Sequence, residues 1–263
     1  MKLKMIVAAA GLVISAASQA TITPTTNIGG SDLLLNVWEQ GAPGGQPDQS
    51  FTLDLGITFS QFVAASSSSA TLTTLLSTDS TWTSFLSSSD TADTGALQWS
   101  VIASGNKVNT RPAIFGTSTV GSDPTTAGGS GFLVNSDLNA ANTQVSATIN
   151  NLNTAANPNE QVAQKGTGSY YQDLSLANFN GAGFANNNAI GATAAVWTAS
   201  NISGGNTTAA VMKQLAGTMT FSQAGGSYVL SYNVAAVPEA QGVGMALCGL
   251  AALGFLVRRR NAA

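Results

Sequence analysis

The chain has 263 residues, enough for one sizeable domain or two small ones once its ends are set aside. Only 8% of it is charged, and residues 21–237 carry eleven acidic against four basic side chains (Lys107, Arg111, Lys165 and Lys213), a net of −7. A surface of that sign offers no footprint for nucleic acid or anionic lipid, which excludes nucleic-acid binding as the function. Hydration falls instead to Ser, Thr, Asn, Gln and Gly, as in extracellular structural proteins.

Lys2 and Lys4 precede an apolar run over 5–17 that closes on Ser18-Gln19-Ala20. A cationic start, a short apolar centre and small residues before a cut are the three parts of a secretory signal. Residues 1–20 are therefore expected to form a signal helix, cleaved between Ala20 and Thr21. The exported domain is expected over 21–236.

Alternation and β-branched content predict strands over 32–40, 49–56, 97–105, 112–120, 192–199, 217–223 and 227–235. The last two alternate around Gly225-Gly226, a hairpin signal, and Gly41-Ala42-Pro43-Gly44-Gly45 reads as a wider hairpin loop. Helices are predicted over 57–65, 71–76, 81–86 and 136–153. The third is capped by Asp79 or Ser80, and the fourth shows one apolar face of Leu138, Ala141, Val145, Ile149 and Leu152. Residues 66–69, 87–89 and 117–131 read as Ser/Thr/Gly-rich connectors. The expected fold is mainly β, an antiparallel sheet or sandwich with a few helices packed on it.

A neutral apolar run over 243–257 follows Val237-Pro238-Glu239-Ala240 and stops at Arg258-Arg259-Arg260. Fifteen helical residues span about 22 Å, short of the ~30 Å hydrocarbon core, but the arginines can snorkel and hold the cytoplasmic side. A transmembrane helix over 243–257 is expected, its cytoplasmic end fixed by Arg258, Arg259 and Arg260. Cys248, the one cysteine, lies inside it, so no disulfide staples the domain.

This C-terminal order resembles the PEP-CTERM sorting signal of proteins exported by Gram-negative bacteria that make extracellular polysaccharide. The resemblance covers residues 237–260, with Ala240 where the family has its second proline. It implies an exosortase, a membrane-embedded cysteine transpeptidase, as partner. Val237, Pro238 and Glu239 then form the sorting motif, and the protein passes from the inner membrane to the cell surface or biofilm matrix.

The chain has no histidine, and its domain has no cysteine. Nucleophile systems that move a proton through imidazole are thereby removed, as are ordinary zinc, haem and copper sites. No phosphate-binding glycine loop is present, since Gly128-Gly129-Ser130-Gly131 fits neither pattern. No cofactor and no metal is expected. What remains is carboxylate chemistry: Glu39 and Glu160 as a glycosidase pair, or Asp90, Asp93 and Gly95 opening a calcium loop, each weighed against solvated surface. Trp38, Trp82, Trp99, Trp197, Tyr170 and Tyr171 are the rings a sugar platform would use, weighed against the core. Tyr170 and Tyr171 are the exposed candidates for glycan contact, because neighbours on a strand point to opposite faces. Asn201-Ile202-Ser203 and Asn206-Thr207-Thr208 match N-x-[ST], a pattern that arises by chance in Asn/Thr-rich loops. The expected function is that of a non-enzymatic surface or matrix protein. The alternatives are a carbohydrate-binding module that takes exopolysaccharide as partner and, third, a carboxylate-dependent glycosidase.

Overall fold

The computed structural model describes residues 12–13, 22–26, 29–39, 48–66, 72–76, 79–88, 97–108, 111–119, 133–155, 159–167, 170–171, 187–201, 205–224 and 226–234. The strands are β1 (Leu12–Val13), β2 (Asp32–Glu39), β3 (Gln49–Thr58), β4 (Leu72–Leu75), β5 (Leu97–Val108), β6 (Arg111–Thr119), β7 (Glu160–Gln164), β8 (Asn188–Ala189), β9 (Thr193–Ser200), β10 (Val211–Ala224) and β11 (Ser227–Val234). The helices are α1 (Phe59–Ala65), α2 (Ser80–Ser88) and α3 (Asn135–Thr154). All strands join one sheet in the order β1-β4-β11-β10-β9-β6-β5-β2-β3-β7, with β8 branching from β5. Only the β1–β4 pairing is parallel. The expected mainly antiparallel β fold with helices packed on it is present.

The sheet curls, and its packing shows why. The Trp82 ring of α2 lies 5.0 Å from Phe51 on β3 and 5.0 Å from Tyr228 on β11, six places apart in the strand order. One indole reaches both only if the strands wrap round it. Side-chain alternation then divides two cores. On the inner face Leu33, Leu35 and Val37 of β2, Trp99 and Val101 of β5 and Phe115 of β6 pack under α1 and α2. On the outer face Leu34, Trp38, Ile102 and Ile114 meet Leu138, Ala141, Val145, Ile149 and Leu152 of α3. β2 is covered on both sides, and for that reason its run Leu33-Leu34-Leu35 is apolar without a break. Helices cover both faces, not one.

Local chemistry sets the helix ends. Thr58 and Gln61 form a reciprocal capping box at the start of α1, and Asp79 Oδ1 accepts the Trp82 N–H at the start of α2. α3 matches the predicted span within one residue at each end. Its Asn153 clamps the incoming chain, accepting from the Ile22 N–H at 2.9 Å and donating to the Ile22 carbonyl.

Residues 72–75 are a strand, correcting the predicted short helix over 71–76. Their Leu-Thr-Thr-Leu run supplies β-branched residues, and hydrogen bonding to β11 outweighs the local pattern, the Leu76 N–H closing on the Tyr228 carbonyl. Two other edges shift. β6 takes residues 117–119 from the predicted connector, and β10 starts at Val211, six residues ahead of prediction. The predicted hairpin stands, with Ala224 facing Ser227 and Gly226 at φ 82°. No described helix is long and apolar enough to cross a membrane. The expected span 243–257 lies outside the described residues, as does the 1–20 leader apart from Leu12–Val13.

Candidate functional site

A polar row crosses the outer face where three strands lie side by side. Thr52 of β3 stands opposite Asn36 of β2, which stands opposite Ser100 of β5. The Thr52 hydroxyl donates to Asn36 Oδ1 at 3.0 Å, and the Asn36 amide donates to the Leu34 carbonyl. Tyr171 straddles the row. Its N–H donates to Ser50 Oγ at 3.1 Å, its hydroxyl meets Ser100 Oγ at 2.6 Å, and its ring lies 4.3 Å from Trp38. Burial pushes that hydroxyl well above an ordinary phenol, with the Ser100 contact opposing, so it stays protonated throughout the physiological range. The Tyr170 hydroxyl donates to the Glu39 carbonyl at 2.9 Å.

The tyrosines thus correct the expectation of exposure: both are buried. The pair occupies a bend instead of a strand, so the two rings need not point to opposite faces, and each finds a partner on the sheet. Trp38, Trp82 and Trp99 are buried as well, in agreement with the core reading; Trp197 is half-buried on the outer face. The row had a signal in the sequence: Asn36 and Ser100 interrupt otherwise apolar strands.

The carboxylates do not converge into a facing pair. Glu160 of β7 stands opposite Leu53, which stands opposite Leu35; Glu39 is four residues further along β2, about 13 Å, and two strands away. Glycosidase carboxyls act across about 5–9.5 Å. Glu160 accepts the Thr81 hydroxyl at 2.6 Å, which ties α2 to β7. Asp48 pairs with Lys165 at 2.9 Å across β3 and β7.

Asp54 is the group that sequence reasoning passed over. Desolvation raises its pKa to about 7, opposed by the Gly56 N–H and reinforced by the Asp32 charge. Asp32 is itself buried and accepts the Thr23 N–H at 2.7 Å. The two acids thus stand beside the segment that follows the expected cut. Nothing in the sequence pattern separates Asp54 from a solvated turn acid.

The other candidate positions divide cleanly. Asn201 is buried and Asn206 exposed. Ala20, Thr21, Val237, Pro238, Glu239, Arg258, Arg259 and Arg260 lie outside the described residues, as do Asp90, Asp93 and Asp123. Among the described residues no group of three or more His, Cys, Asp or Glu could hold a metal ion.

The fold defines a class, a curled, mainly antiparallel sheet with helices on both faces. Comparison with known protein families, curated proteins and solved structures finds no match to the chain.

Proposed function

We propose that the chain is an exported, non-enzymatic protein of the cell surface or extracellular matrix, delivered by its leader and sorted through the PEP-CTERM-like tail by an exosortase. One observation carries the reading: the described residues of both cores run from Ile22 to Tyr232, with Val234 packed against them. Those cores draw on neither expected address, and Leu12–Val13 contributes only an edge pairing. Ile22, two residues after Ala20, is docked on α3. A domain of this plan tolerates loss of both ends.

The test is the mass of the protein recovered from its source. An N-terminus at Thr21 together with loss of Arg258–Arg260 is the expected result. Retained arginines would make it a plain membrane-anchored protein, and a retained Met1 would refute export by this leader. The carbohydrate-binding alternative requires ring faces at the surface, and no described aromatic residue is exposed to support it.

A further inference from the structure

β4 owes its covered outer edge to the leader. Leu12 and Val13 pair with Leu72 and Thr73 in parallel, while the other edge of β4 bonds β11. Removing residues 1–20 leaves β4 as the last described strand, with its outward N–H and C=O groups open. A bare edge invites another strand, and proteins guard such edges with charge, proline or bulges. Residues 67–78 contain no charge and no proline. The opposite edge is guarded: β7 begins at Glu160, and Lys165 just beyond it pairs with Asp48.

We infer that cleavage of the leader uncovers the β4 edge for pairing with the β4 edge of a second copy, so that self-association begins only after export. The inference rests on the export reading. The occupant follows from what the edges carry. In the uncut chain this edge accepts an extended, uncharged segment of the same protein. After the cut, the charged β7 edge is a poor match, and another β4 is a good one. A twofold axis normal to the sheet runs the two strands antiparallel. Facing residues share a side of the sheet, so the pairing centres on Thr73 or on Thr74. Four-residue strands bury little area, so the dimer is weak and sensitive to concentration, suited to a crowded surface or matrix.

Sedimentation of a chain spanning 21–237, which contains both cores, tests this directly. The expected result is a sedimentation coefficient that rises with concentration and falls back when a peptide of residues 8–17 is added. Thr73→Lys and Leu75→Lys, each facing the outer-side β11 residues Ser231 and Val229, abolish the rise while far-UV circular dichroism stays unchanged. A monomer at every concentration overturns the inference, and so does a dimer that survives both lysines. An N-terminus found at Met1 in the source protein overturns the export reading, and with it the trigger, whatever the sedimentation shows.

Discussion

Tyr232 joins three elements through one hydroxyl, which accepts the Gly217 N–H at 3.0 Å and donates to the Ser66 carbonyl at the end of α1. Gly217 sits where the β9–β10 register shifts, and a Cβ there would run into the Tyr232 ring. Gly217→Ala is expected to cost about 1–3 kcal/mol in urea unfolding through overpacking. Tyr232→Phe should cost a similar ~1–3 kcal/mol for a different reason, a buried donor and acceptor left unpaired. Asp54 makes a prediction in pH. Its folded pKa of about 7 lies above the ordinary 3.8, so the folded state holds the proton more tightly than the unfolded chain. The associated stability is full below about pH 4 and is lost as pH rises through 7. Asp54→Asn keeps an oxygen for the Gly56 N–H and removes the charge. Above pH 7 the variant should be more stable than the parent by about 1–3 kcal/mol, and the difference should vanish by pH 4. A parent whose unfolding midpoint does not change from pH 4 to 8 would sink this assignment.

At the scale of elements, α3 shows what periodicity reads well. Five apolar residues at spacings of three and four marked its face, and all five are buried on β5, β6 and β9. Its Asn and Thr content gives weak intrinsic helicity, so an isolated peptide of residues 135–154 should be largely unstructured in water. Val145→Ala, a cavity under that face, should cost about 1–3 kcal/mol in the domain. Asn153→Ala tests the clamp on Ile22: limited proteolysis should then cut near residue 25 at least several-fold faster, with the sheet intact. The strand at 72–75 shows what local pattern misses. Leu-Thr-Thr-Leu-Leu fits half a turn of helix or a short strand equally well, and only the open edge of β11 decides between them. β7 and β8 were not legible either, being short segments completed by their partners β3 and β5.

For the whole molecule, low charge has a thermodynamic consequence. With hydroxyl and amide groups supplying hydration, there is little for salt to screen, and the Asp48–Lys165 pair is half exposed on its lysine side. Raising NaCl from about 0.05 to about 0.5 M should shift the unfolding free energy by less than about 0.5 kcal/mol. The sequence by itself determined the β-rich class, the long amphipathic helix, the C-terminal hairpin and the absence of imidazole chemistry, because each depends on residue type or on neighbours within a turn or two. Tertiary structure alone decided that Tyr170 and Tyr171 are interior, that Glu39 and Glu160 stand apart, that Asp54 titrates near neutrality and that an edge strand lies under the leader. Those outcomes depend on which strands become neighbours and how far the sheet curls, and long-range pairing is not written in any local window.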